Sequence, residues 1–320
     1  MSVQDLKQRI TENIKAELDR GPSPRGWHMI KTLLECEQKF VFEKNGVTPV
    51  GEDKDALIFG TIVHEARRVL LEELKYAQLM SKDGVEMVVD SKKIVRDYGE
   101  ALRAVSGDAR LLAKQKTILE AMMAGMAYIH HWYTRQKMQV VEVEYLIEHK
   151  ATERTGKLDG LFLDKNGKYW LSDLKTSSLT ASYTADAYEI DGQFIHYLWI
   201  ITHEPAYKKI ADNLGGFHLE MFLKKQKAAE RFDEVFFDIH HFKQLIEAHG
   251  RTLTRALDRE KELLDGDLPS RNWMACNGRY RRCAFAHACK HNAENAYLYK
   301  VDGSRVTAVP TVYLPKGNTE

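Results

Sequence analysis

Amphipathic spacing predicts a helix over residues 3–20, which stops at the breaker run Gly21-Pro22-Ser23-Pro24. A second helix is predicted from Trp27 to about Lys44 and takes in Cys36. The stretch FGTIVHEARRVLLEELKYAQLM (59–80) is strongly helical in pattern. Met, Leu and Ala at helical spacing predict two more helices within 90–137. Strands then dominate, at about 139–149, 154–164 and 168–175. The last two meet at Asp164-Lys165-Asn166-Gly167, whose Asn-Gly pair is a hairpin signal. A helix around 187–202, strands at 215–224 and 233–239, and a long helix over 240–264 follow. Residues 265–292 read as irregular and carry three cysteines, and the last 28 residues read as a short hairpin or a loose tail. There is no internal repeat and no low-complexity tract.

A chain of 320 residues suits one elaborated domain or two small ones, and a hydrophobic fraction of 44% supports a real core. The formal net charge of +1 argues neither for nor against nucleic acid, so a DNA-binding face would have to be a local basic patch. No run of about 18 apolar residues exists, so no membrane helix is expected. The charged N-terminus lacks the apolar core of a signal peptide, which makes a cytoplasmic protein the expectation. Four cysteines are too few for a disulfide scaffold of this length.

The chemistry concentrates in KYWLSDLKTSS (168–178), where an apolar run ends in Asp173 and Lys175 follows two residues later. Asp159 lies fourteen residues before Asp173, in GKLDGLFLD (156–164). On neighbouring strands the three would converge on one sheet edge. Two carboxylates that hold a hard divalent cation, with an ammonium beside an attacking water, are what a metal-dependent phosphodiesterase needs. The carbonyl of Leu174 would add an oxygen ligand suited to Mg²⁺ or Mn²⁺. The alternative reading is a pair of turn acids flanking strands. His64 stands one helical turn after Gly60, whose missing side chain would let another backbone approach. Its neutral imidazole would make a further ligand, favouring Mn²⁺ somewhat, or it is simply structural. Glu65 and Glu72 read as part of a solvated face. Gln193 and Tyr197 in QFIHYLW share one helix face. They would orient a DNA phosphate or the lysine, unless that face only packs Phe194, Tyr197 and Leu198.

In order, the chain offers GTIVH, GKLDG, DLK and QFIHY. This series resembles the RecB-type branch of the PD-(D/E)XK nuclease superfamily, with its G-x-x-x-H, aspartate, D/E-x-K and Q-x-x-x-Y motifs, over roughly residues 30–290. The resemblance implies an α/β fold: a restriction-endonuclease-like core with a central mixed sheet flanked by helices. It also implies that His64, Asp159 and Asp173 bind the metal, that Lys175 positions or activates the water, and that Gln193 and Tyr197 assist. The expected organisation is N-terminal helices over 1–58, a nuclease core over 59–264 with a helical insertion at about 82–137, a cysteine-bearing segment over 265–292, and a tail over 293–320.

Cys36 stands alone, whereas Cys276, Cys283 and Cys289 cluster in CNGRYRRCAFAHAC. Four thiolates are a complete ligand set for a [4Fe–4S] cluster or for structural zinc; buried free thiols are the alternative. Neither half has the short C-x-x-C knuckle that zinc favours. One lone cysteine plus three distant ones resembles the iron–sulfur nucleases of the same superfamily, of the AddB and CRISPR-associated four-cysteine types. That resemblance implies a cluster stapling the chain ends around the core, although six residues separate the first two C-terminal cysteines here, against often two in those relatives. His287 or His291 would be substitute ligands. Arg271, Arg279, Arg281, Arg282 and Lys290 form the best basic patch, with Tyr280 and Phe285 available to stack on bases; a solvated loop is the alternative. The function expected from all this is a DNA exonuclease acting on single strands or ends, alone or beside a separate helicase or recombinase. A structure-specific endonuclease and a non-catalytic DNA-binding scaffold subunit are the rivals.

Overall fold

The computed structural model describes residues 25–50, 55–82, 138–177, 179–223, 232–272, 274–276, 283–290 and 298–313, with isolated positions before residue 25. The helices predicted within 90–137, and all but two positions of the one over 3–20, lie outside the described residues. The chain divides into two units, one built on residues 55–246 together with 1–21, the other on 22–54 and 247–320.

The first unit is a mixed five-stranded sheet flanked by helices. Its elements are α3 (Asp55–Lys82), β2 (Gln139–His149), β3 (Arg154–Leu163), β4 (Tyr169–Ser177), α4 (Ala181–Glu189), α5 (Gly192–His203), α6 (Lys208–Ala211), β5 (Leu214–Leu223) and β6 (Phe232–Asp238). The strand order is β2-β3-β4-β5-β6. Only the β4–β5 pairing is parallel. Asn166 and Gly167 turn the β3–β4 hairpin, with Gly167 at φ +74°, the left-handed conformation for which glycine is suited. β5 is buried along its whole length, as a strand with neighbours on both sides requires, yet it carries His218 and Glu220 inward. Where one helix is predicted over 187–202, the structure has two. The Asp191 carboxylate accepts the Gln193 N–H at 2.7 Å, which caps a new helix and starts α5 there. From Phe194 to Ile201 every residue of α5 is buried, as expected for a helix apolar on all sides.

The second unit contains α1 (Trp27–Glu35), α2 (Glu37–Lys44), β1 (Val47–Pro49), most of the long helix α7 (Ile239–Leu264), α8 (Ala286–Lys290), β7 (Tyr299–Val301) and β8 (Ser304–Arg305). The last two strands form a hairpin, and β7 pairs with β1. The helix predicted from Trp27 to Lys44 breaks at Cys36, which is extended (φ −166°, ψ 111°) and buried. Phe285 is not available for base stacking: it is buried in this unit's core, against Phe42 and Tyr299. Glu37 ties the unit together, accepting from Arg259 Nε and Nη2 at 2.9 and 2.8 Å and from the Ser270 N–H at 2.7 Å. The Arg259 guanidinium holds the Glu37 carboxyl below its ordinary 4.5, against the opposing pull of burial. A depressed acid stabilises the folded state above its unfolded pKa, and that contribution is lost as pH falls through the folded value. Glu37→Gln is therefore expected to lose about 1 kcal/mol at neutral pH and progressively less as pH falls through that lowered value, measured as denaturant midpoints across pH. Among the described residues, no helix is long and apolar enough to cross a membrane.

Candidate active site

The site lies where the sheet of the first unit forks. β3 and β4 pair from Leu163–Tyr169 only as far as Gly160–Ser172, while β4 continues beside β5 to Ser177. Beyond that last pair the Asp159 side chain replaces the missing strand contact, its Oδ2 accepting the Leu174 N–H at 2.7 Å. The same oxygen stands 3.0 Å from His64 Nδ1 on α3. Asp173, 2% exposed, lies on β4 next to that N–H. Its buried Oδ2 is paired with the Lys175 ammonium at 2.6 Å. Lys175 Nζ also donates to Gln193 Oε1 at 2.9 Å, and Gln193 Nε2 donates to the Tyr197 hydroxyl at 2.6 Å. His64, Asp159, Asp173, Lys175, Gln193 and Tyr197 thus meet in one place.

Burial by itself would raise the Asp159 pKa, but the facing His64 imidazole, then Arg67 and Lys175, outweigh it and hold the carboxyl far below its usual range. Asp173 goes the other way: burial, assisted by the Asp159 charge, lifts it to about 6 against the pull of Lys175. Burial disfavours the His64 imidazolium and the Lys175 ammonium, yet the carboxylates win in both cases and both pKa values rise. Tyr197 is raised chiefly by burial, so it stays a neutral hydroxyl.

A hard cation fits the chemistry of this donor set, the two buried carboxylates of Asp159 and Asp173 and the His64 imidazole. The ligands engage one another, His64 with Asp159 and Asp173 with Lys175. Among the described residues, no three His, Cys, Asp or Glu side chains stand arranged to hold a metal ion. Gly60 plays a smaller part than expected: a Cβ there would meet only Thr176 Oγ1 at 3.6 Å, an ordinary contact rather than a backbone. Glu65 is not on a solvated face; it is buried and paired with Arg68, which also reaches the exposed Glu72.

Sequence reasoning missed three neighbours of the site. Glu144 sits between the pairs Val143–Gly160 and Tyr145–Leu158, opposite Asp159, at φ +52° and 2.5 Å from Lys157. Burial and then the Asp159 charge raise its pKa. Tyr188 lies under the Lys175 ammonium, 5.7 Å from ring centroid to Nζ. Arg67, one turn after His64, is buried against Glu220. An acid in an alternating strand or an arginine in a helix gives no local signal of such company.

In the second unit the four cysteines are free thiols. Asn272 Nδ2 donates to the Glu35 carbonyl at 2.9 Å, and Arg271 Nη1 to that of Cys289 at 3.0 Å. The Cys283 N–H donates to the Cys276 carbonyl at 2.9 Å. Burial, then the charges of Cys36, Cys276 and Cys283, push the Cys289 thiol up to about 11. Among the described residues, which include all four cysteines, no three of them stand arranged to hold a metal ion. His287 is exposed. Arg279, Tyr280, Arg281, Arg282 and His291 lie outside the described residues, as does the side chain of Lys290.

A mixed sheet that forks over two buried aspartates and a lysine defines a restriction-endonuclease-like protein of the nuclease class. The PD-(D/E)XK nuclease superfamily matches residues 28–290, and the chain belongs to that superfamily. No curated protein matches the chain.

Proposed function

We propose that the protein is a metal-dependent deoxyribonuclease of the RecB-type branch, an exonuclease that trims single-stranded or free-ended DNA. The observation that carries this reading is the fork between β3 and β4, at whose head the buried Asp173 carboxylate, ion-paired with the Lys175 ammonium, stands beside Asp159 and His64. His64, Asp159, Asp173 and the Leu174 carbonyl would hold Mg²⁺ or Mn²⁺. When bound, the ion supplies Lewis-acid charge against the scissile phosphate and acidifies water. Lys175, kept protonated by Asp173, Tyr188 and Asp159, holds the attacking water and meets the negative charge that develops on phosphate oxygen. Gln193 fixes that ammonium through Oε1 and is itself fixed by Tyr197. The water oxygen bonds to phosphorus as the bond from phosphorus to the leaving sugar oxygen breaks.

The test is cleavage of 5′-labelled and 3′-labelled linear single strands, duplex and circular single strands, with Mg²⁺ and Mn²⁺ in parallel. The expected result is loss of linear single strands and survival of circles. Cleaved circles would make the protein an endonuclease, and binding without cleavage in any divalent metal would make it a scaffold. Gly156 offers a finer check, because a Cβ there would fall 2.5 and 2.6 Å from ring carbons of Tyr197. Gly156→Ala is expected to displace the Tyr197–Gln193–Lys175 chain and lower turnover by about tenfold to a hundredfold, read as initial rates at saturating metal.

From the ligand set and its one-plus-three spacing, Cys36 with Cys276, Cys283 and Cys289, we infer a [4Fe–4S] cluster that would fix residues near Cys36 to the C-terminal segment, so that binding energy becomes folding energy. Protein purified without oxygen is expected to be brown, with about four irons per chain. Colourless protein with one zinc would replace iron by zinc and leave the nuclease reading intact. A helicase or recombinase that supplies free ends is the partner this activity would suit, in the cytoplasm.

A further inference from the structure

β5 is buried throughout, and a wholly buried strand is ordinarily apolar. Glu220, 1% exposed, breaks that rule at its centre, and Arg67, 3% exposed, answers it from α3. The guanidinium donates through Nε to Glu220 Oε2 at 2.5 Å and through Nη2 to Oε1 at 2.7 Å, a two-pronged pairing. Nη2 also donates to Ser172 Oγ at 2.9 Å. Behind Ser172, His218 Nδ1 lies at 3.4 Å and its Nε2 meets Glu234 Oε2 at 2.9 Å, so the buried polar groups continue to the neighbouring strand β6.

A buried ion pair contributes little net stability against apolar residues of similar size. What this one does is positional. Arg67 is three residues after His64 on the same helix. Ser172 is the residue before Asp173 and half of the last β3–β4 pair. Glu220 is the β5 partner of Leu174, whose N–H the Asp159 carboxylate takes. One guanidinium therefore joins the helix that carries His64 to β4, on which Asp173 and Leu174 stand, and to its neighbour β5, with directional bonds that apolar packing does not provide.

We propose that Arg67 and Glu220 are positioning residues that set His64 against Asp159 and Asp173 at the head of the fork. The proposal rests on the reading of this site as a metal centre only for its second readout. The experiment compares wild type, Arg67→Lys and the double variant Arg67→Met/Glu220→Leu, with circular dichroism and melting confirming the fold of each. The double variant removes both charges together, so it leaves neither one buried alone. The first readout, in metal-free protein, is the His64 side-chain N–H signal in proton–nitrogen NMR. It is expected to be protected by Asp159 in wild type and lost in the double variant. The second is Mn²⁺ affinity by calorimetry, expected to weaken about tenfold or more, with Arg67→Lys in between. A folded double variant that keeps the protected His64 signal overturns the proposal. If wild type cleaves no DNA while the double variant loses that signal, the nuclease reading fails and the positioning role stands.

Discussion

Alanine at Asp173 or at Lys175 is expected to lower DNA cleavage by about a thousandfold or more, with the fold intact. Asp173 brings a buried carboxylate to the head of the fork, where it is paired with Lys175. Lys175 is the ammonium that both Asp173 and Gln193 hold in place. Initial rates on labelled single strands measure the loss, and either variant retaining a tenth of wild-type activity would sink the assignment. A stability measurement adds an independent arm. Burial raises Asp173 to about 6, so in metal-free protein its ionisation disfavours the folded state. The sign follows from linkage: an acid with a raised folded pKa weakens the fold above that pKa and has no effect once it is protonated in both states. Asp173→Asn is thus expected to melt higher than metal-free wild type at pH 7 to 8 and equally below about pH 4. An activity lost with stability gained is what a functional buried charge produces.

Gly216→Ala is expected to be the most damaging single methyl group in the first unit. Gly216 has φ +147°, and a Cβ there would lie 2.0 Å from the Phe237 carbonyl oxygen and 2.9 Å from the Ile239 nitrogen. Both are backbone atoms, of β6 and of the start of α7, so no side-chain rotation relieves the clash. β6 would have to leave its pairing with β5, beginning at Gly216–Asp238. Strain in φ and overpacking together suggest a cost of about 4 kcal/mol, a large share of a typical domain's stability. For a unit of this size that is a fall of roughly 10 °C in melting temperature. Because β5 also carries Glu220, activity should fall more than the folded fraction does. Calorimetry and rates on the same preparation test both, and a melting temperature within about 2 °C of wild type would show that β6 accommodates the methyl group without loss.

Much of the fold is legible in local pattern. The Asn-Gly signal between two strand-like runs places the β3–β4 hairpin, and helical spacing places α3 and α7 within a few residues of their observed limits. The candidate site is legible as an ordered series of short motifs, because His64, Asp159, the Asp173–Lys175 pair and the Gln193–Tyr197 face each occupy a recognisable local context. The break at Cys36 is not legible, since nothing in the pattern of 27–44 interrupts a helix; the chain turns extended there, where Asn272 reaches the Glu35 carbonyl and Ser270 takes the Gln38 N–H. Phe285 illustrates the same limit: an aromatic beside arginines reads as a surface group until Phe42, 243 residues away in the chain, packs on it.

By itself, then, the sequence determined the main strands and the long helices, which residue types stand at strand ends, and which superfamily the chain resembles, because propensity, period and spacing act within a few residues. Only the tertiary structure decided where β3 and β4 part, that the Asp159 carboxylate takes up the freed Leu174 N–H, that Gln193 holds Lys175, and that Arg67 meets Glu220 beneath them. Those facts depend on how strands far apart in the chain pair and on how helices bury against them, and no local pattern encodes that.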